Sequence, residues 1–261
     1  MDLPTTPLIF SEKIRHAKKK SAAVAINCIF PRTRYAINCI FLRTRYAISC
    51  NFLRIRLAMP GEKMNYFVYG EKEINHLCGK DKRLCAAIER IGIIKREVNP
   101  DLFSALIESV VGQQISSKAA LTVRNRLDEL TGLQAEKIHV MPTEEIQSCG
   151  MSMRKAEYIK GIADVAVNRT VDFDALKDKR DHEIINTLTK LNGVGVWTAE
   201  MLLIFSLMRT DVVSYGDLAI RRGMMTLYGH KELSKERFQR YAKRYSPYGS
   251  VASLYLWELS H

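Results

Sequence analysis

A chain of 261 residues, 47% of them hydrophobic, is long enough to bury one large core or two small ones, which excludes a globally disordered polymer. The formal charge of +12 points to a polyanionic partner, yet residues 1–63 hold 12 Lys/Arg against 3 Asp/Glu and the rest holds 28 against 25, so bulk charge does not make the body a nucleic-acid binder. Six cysteines without a C-x-x-C pair or a histidine cluster argue against a zinc site or a disulfide framework and fit a reducing compartment, and no apolar run reaches the ~18 residues that span a membrane.

Between Ala25 and Ala58 the chain repeats itself every eleven residues, with Cys28, Cys39 and Cys50, Phe30, Phe41 and Phe52, and Arg32, Arg43 and Arg54 in register. Units this short cannot stack into a solenoid core, and their β-branched, Cys- and Phe-containing composition is poor material for a helical supercoil. Residues 1–62 therefore read as a basic extension without a packed fold. Its origin stays open between a translated tandem repeat ahead of a natural start at Met64, an Arg-rich targeting peptide and a basic DNA-tethering arm. Residues 63–261 read as the folded domain.

In that domain, Glu71 to Lys80 and Lys82 to Ile91 have the spacing of two short helices, the second with Leu84, Ala87, Ile88 and Ile91 on one face. Pro100-Asp101 opens the next, whose stripe of Leu102, Phe103, Leu106, Ile107, Val110 and Val111 must be buried. It ends at Gly112-Gln113-Gln114, and Ser116 caps a helix from Ser117 to Leu130. Gln113 and Gln114 sit at a helix junction, where amides ordinarily meet solvent or bond local backbone. Thr143 to Cys149 and Met153 to Val167 follow as helices, with Arg154 and Lys155 either solvated or positioned for phosphate. Asp172 to Leu176 reads as a connector, Ser234 caps a helix through Tyr245 with a Lys/Arg-rich outer face, and Tyr248 to Trp257 is a final apolar helix. With no convincing strand pattern, the expectation is an all-α fold of two helical lobes with a central cleft.

The most informative stretch lies between these helices. Ile184, Ile185, Leu188 and Leu191 precede Asn192-Gly193-Val194-Gly195-Val196-Trp197-Thr198, and Met201, Leu202 and Phe205 follow it, so two helices flank a glycine turn. This is a helix-hairpin-helix, whose second helix begins with unpaired N–H groups suited to a phosphate. Twenty residues past Trp197, Ser214-Tyr215-Gly216-Asp217 brings a carboxylate to the start of another helix; on spacing alone Asp217 is an ordinary N-cap. Hairpin, loop and aspartate together resemble the helix-hairpin-helix DNA glycosylases from about Met64 to the C-terminus, and among them the branch of DNA-3-methyladenine glycosylase II.

The resemblance implies an enzyme that flips a damaged base out of duplex DNA and breaks its bond to the sugar. It makes Asp217 the catalytic carboxylate beside C1′ and places Gln114, with Gln113 next to it, in the gap left by the extruded nucleotide. Trp197, Trp257 and Tyr248 become walls of a base pocket, with core packing as the alternative for each. Gly193, Val194, Gly195 and Thr198 become the contacts to the DNA backbone. Carbonyls of Thr189, Leu191 and Val194 become ligands of a K+ or Na+ ion. Relatives that also cut the strand carry a lysine where Trp197 stands, so a monofunctional hydrolase of alkylated purines is expected. Some relatives hold an iron–sulfur cluster on four C-terminal cysteines; no Cys follows Cys149, so no such cluster and no required cofactor are expected. The resemblance further implies a monomer acting on duplex DNA, not on membranes, in the cytoplasm or a nucleus. Two other readings stay open: a non-catalytic duplex-binding hairpin module, and a glycosylase for oxidised or mismatched bases.

Overall fold

The computed structural model describes residues 65–260; the repeat and every reading placed on residues 1–62 lie outside them. In chain order the helices are α1 (Glu71–Lys80), α2 (Lys82–Ile91), α3 (Leu102–Gly112), α4 (Ser117–Thr131), α5 (Ala135–Val140), α6 (Thr143–Ser148), α7 (Met153–Val167), α8 (Asp181–Leu188), α9 (Val196–Phe205), α10 (Leu218–Tyr228), α11 (Lys235–Tyr245) and α12 (Gly249–Glu258). The all-α expectation holds but for one scrap of sheet: β1 (Asn65–Tyr66) pairs antiparallel with β2 (Glu97–Val98). Among the described residues no helix is long and apolar enough to cross a membrane.

Helix packing falls into two sets. Helices α1, α2, α10, α11 and α12, from the two ends of the described chain, pack on one another, and α3 to α9 form the other set around α7. These are the two lobes the sequence suggests, joined by a continuous apolar core. Several contacts cross the seam: Phe205 at the end of α9 lies against Trp257 of α12 with ring centroids 5.3 Å apart, and its carbonyl accepts from Asn99 N at 2.9 Å.

Short polar residues start the helices as their side-chain oxygens allow. Asp101 accepts from Ser104 N, Ser116 from Ala119 N, and Ser234 from Arg237 N. Asp81, buried, accepts from Arg83 N and Leu84 N to start α2 and takes the Tyr228 hydroxyl at 2.6 Å, which anchors the far end of α10. Because α1 and α2 meet at this single residue, Cys78 and Cys85 come together, with Cα atoms 4.3 Å apart, and form a disulfide. That corrects the expectation of no disulfide. The cysteine pattern did not show it because the pair is made by a corner between helices, not by a short motif. The stretch read as a connector over Asp172 to Leu176, or a turn of helix, runs into a 3₁₀ turn at Ala175–Asp178. The unexpected α5 is one and a half turns long and buries only Ile138, too little to leave a periodic stripe.

The contact that seats α10 is at Gly223. A Cβ there would stand 1.8 Å from the Leu256 carbonyl oxygen of α12, and backbone cannot give way as a side-chain tip can. Gly161, exposed midway along α7, has nothing within 4 Å. Gly223→Ala is therefore expected to destabilise the fold by about 1–3 kcal/mol or more in urea unfolding. Gly161→Ala should stabilise it by about 0.5–1 kcal/mol, since alanine removes only unfolded-state freedom there. Equal effects of the two substitutions would overturn this account of the α10–α12 packing.

Candidate active site

Helix α8 ends at Leu188, Thr189 caps it, and the chain turns through Leu191 to Val194, where Val194 N donates to Leu191 O at 3.1 Å. The two glycines of the turn do different work. Gly193 has φ +83°, and a Cβ on it would lie 2.3 Å from the Tyr158 ring, so both backbone and packing demand glycine. Gly195 has extended φ (−95°) and a Cβ there would meet nothing within 4 Å, so neither backbone nor packing within the described residues demands glycine. Gly195 is the N-cap of α9 and offers no side-chain acceptor to the first turn of that helix. The Val194 and Thr198 side chains are buried, which leaves backbone as what those two residues present.

In the first turn of α9, Trp197 meets Asp217. The carboxylate is 1% exposed and its two oxygens are divided. Oδ1 accepts from Ala219 N at 2.8 Å and Ile220 N at 2.9 Å as the N-cap of α10, and Oδ2 accepts from Trp197 Nε1 at 2.9 Å. The cap and the site reading, alternatives on spacing alone, occupy different atoms of one side chain. Three N–H donors compensate a charge withdrawn from water.

Glu200, one turn beyond Trp197, joins them. Its carboxylate takes the Ser214 hydroxyl at 2.5 Å, and Ser214 is fully buried in the loop leading to Asp217. Burial, with the charge of Asp217 adding to it and the Ser214 bond opposing, holds the Glu200 carboxyl above its ordinary range. Tyr215 lies edge-on to Phe238, with Arg221 5.2 Å and Lys235 5.9 Å from its ring centroid. Neither Ser214 nor Tyr215 was singled out from sequence, although both fall within three residues of Asp217.

The junction after α3 lies against the same hairpin. Gln114 is exposed and has φ +58°, a left-handed backbone unusual for a residue with a side chain. Gln113, read with it as entering the duplex, instead donates Nε2 to the Gly193 carbonyl at 2.9 Å and ties the junction to the hairpin. Lys155 departs from both of its readings, solvent and phosphate. Its ammonium donates to the carbonyls of Val111 at 2.9 Å and Gln113 at 2.5 Å, and burial pushes its pKa down. Arg154 remains exposed, over the Tyr158 ring and bonded to its hydroxyl.

The other two aromatic residues expected as pocket walls have packing partners of their own. Trp257 is 6% exposed and rests on Phe205, at the opposite end of α9 from Trp197. Tyr248 is half-buried and meets His76 of α1 edge-on at 5.2 Å. Both are accounted for by core and lobe contacts, so the indole that bears directly on Asp217 is that of Trp197.

The family model that matches this chain, over residues 107–247, is the HhH-GPD superfamily base excision DNA repair protein, a span that includes the Gln114 junction, the hairpin and Asp217. The chain is 31% identical over 194 residues to DNA-3-methyladenine glycosylase 1 of Schizosaccharomyces pombe, covering 71% of this chain and 85% of that protein. It is 29% identical over 198 residues to the DNA-3-methyladenine glycosylase of Saccharomyces cerevisiae, covering 61% and 67%. Among solved structures it is similar to a DNA-3-methyladenine glycosidase from Bacillus halodurans, with TM-score 0.68, 35% identity and coverage of 76% of this chain and 93% of that one. It is also similar to the Schizosaccharomyces pombe 3-methyladenine DNA glycosylase in complex with abasic DNA, with TM-score 0.65, 30% identity and coverage of 72% and 96%. A hairpin with an open glycine, an aspartate bonded to the first turn of its second helix and a matching family model over both have one reading: the chain belongs to the HhH-GPD superfamily of base excision DNA repair proteins.

Proposed function

We propose that this protein is a monofunctional DNA glycosylase of base-excision repair, which flips alkylated purines such as 3-methyladenine out of duplex DNA and hydrolyses the bond to the sugar. The observation that carries the reading is the 2.9 Å bond from Trp197 Nε1 to Asp217 Oδ2. It puts an aromatic face and a carboxylate side by side at the hairpin. As the C1′–N bond breaks, positive charge develops on the sugar; Asp217 stabilises it and orients a water for attack. An indole has no amine with which to form a Schiff base, so the product is an abasic site and the strand stays intact.

The same pairing favours electron-poor bases. Alkylation at a ring nitrogen makes a purine cationic, and a cation is drawn to the face of an indole. Such a base leaves readily, so no separate general acid is needed. A non-catalytic module would use the open Gly195 and the N-terminus of α9, but nothing in that role calls for a buried aspartate bonded to Trp197.

Binding of the duplex divides between the hairpin and the junction after α3. The α9 N-terminus and Gly195 take a phosphate, with backbone close to backbone. The carbonyls of Thr189, Leu191 and Val194 would hold a K+ or Na+ ion, which supplies positive charge facing a DNA phosphate. The donor set fits: Thr189 ends α8, where helix carbonyls are electron-rich, although the Leu191 carbonyl already accepts from Val194 N. Gln114 enters the stack where the flipped base leaves, its amide offering both donor and acceptor to the estranged base.

Asp217→Asn retains the Oδ1 cap but sets an amide NH2 against the Trp197 N–H that Oδ2 accepts from, so some stability is lost with the charge. Single-turnover release by the folded protein from a duplex with one alkylated adenine should fall by roughly 100-fold or more, with the melting temperature measured alongside to separate loss of chemistry from loss of fold. Undiminished release would remove Asp217 from the mechanism, and no release by the wild type would favour the binding module. Gln114→Ala should weaken affinity for a damaged duplex by roughly tenfold while base release from single strands persists. Unchanged duplex affinity would count against the wedge.

A further inference from the structure

Gln114 projects from a turn that its own sequence does not favour. The last carbonyls of any helix lack intrahelical partners, and a glycine in the left-handed conformation is the usual way to satisfy them. Here α3 ends in Gly112, but the left-handed residue is Gln114, at φ +58°, after a Gln113 that has already left the helix at φ −57°, ψ 131°. Something other than glycine must hold the turn.

We propose that Lys155 is a positioning residue for Gln114: its ammonium takes the carbonyls of Val111 and Gln113 at the end of α3 and so sets the turn from which Gln114 is presented to the duplex. This rests on the wedge reading of Gln114 above. The geometry forms a closed circuit. Lys155 reaches α3 from the first turn of α7, where its backbone N–H is held by the Ser152 cap. One turn further along α7, Tyr158 fills the space against Gly193, and Gln113 returns from the junction to the Gly193 carbonyl at 2.9 Å. The junction and the hairpin are thereby registered to each other through α7. A positive charge at a helix C-terminus is also opposed to the negative end of the helix dipole. The residues bonded to the ammonium are backbone carbonyls, which a methionine of similar length cannot engage.

Lys155→Met, Lys155→Arg, Gln114→Ala and the Lys155→Met/Gln114→Ala double variant of the full chain decide the matter. The probes are a duplex with one non-cleavable abasic-site analogue, for affinity, and alkylated duplex and single strands, for the ratio of their excision rates. Lys155→Met is expected to lower duplex affinity and the duplex-to-single-strand ratio by roughly tenfold, as Gln114→Ala does, with partial recovery in Lys155→Arg. The double variant should be no worse than Gln114→Ala alone, because both changes remove one function. The salt dependence of binding should keep its slope, whereas loss of a phosphate contact would reduce it by about 0.9.

A normal ratio in Lys155→Met beside a defective Gln114→Ala would overturn the role of Lys155 and leave the wedge intact. Additive losses in the double variant, or a reduced salt slope, would likewise overturn it in favour of independent DNA contact. No defect in Gln114→Ala would overturn the wedge itself, and this proposal with it. If Lys155→Met lowers the melting temperature, the ratio still discriminates, since a general loss of folded protein lowers both excision rates together.

Discussion

The hydrogen bond between the Trp197 indole and Asp217 Oδ2 is the contact on which the site depends, because its two residues belong to different halves of the packing. Trp197 begins α9, which packs with α8 and α3; Asp217 begins α10, which packs with α2 and α12. A carboxylate that is 1% exposed would be costly to bury without donors, and here two come from its own helix and the third from across the seam. The lobes are thus registered at the point where the proposed chemistry would take place. The neighbouring Glu200–Ser214 bond joins the same two segments, so the loop carrying Asp217 is held to α9 twice.

The hairpin shows how one motif serves two surfaces. Gly193 faces inward: its positive φ and the Tyr158 ring against it belong to the fold, and substitution there would disturb α7. Gly195 faces outward into open space and has an ordinary backbone. The first glycine builds the turn, and the second is under no constraint from the packing around it. Residues that look equivalent in the sequence therefore stand in different surroundings, and on the proposed function the second answers to recognition.

Much of this was legible before any coordinates. Apolar stripes and short polar caps gave the bounds of α1, α2, α7 and α11, since helical periodicity and capping are local properties. The roles read for Asp217 and Trp197 came from the family resemblance that the hairpin and the following Gly-Asp carry; spacing alone made Asp217 an N-cap, which it also is. What escaped were contacts between distant segments. Gln113 bonds a residue 80 positions away and Lys155 one 42 positions away, both to backbone, and a carbonyl acceptor leaves no mark on residue type. The Cys78–Cys85 bond depends on the angle between two helices, and the place of Trp257 on Phe205 depends on how the lobes close. Side-chain chemistry suggested roles for these residues, but only the packing decided between them.

The charge distribution bears on how such a protein finds its substrate. The body beyond residue 63 has 28 basic and 25 acidic residues, so it exerts little long-range attraction on a polyanion. Its positive potential is local instead. Arg221 and Lys235 close over Tyr215, two residues from Asp217, and the N-terminus of α9 carries the positive end of a helix dipole. Helix-end dipoles act within about one turn and are screened by salt. On the proposed function, a duplex would be held firmly only when its backbone reaches Gly195 and its stack meets Gln114 together. That condition would favour a deformable, damaged site over intact DNA, because the cost of extruding a nucleotide is least where pairing is already weakened.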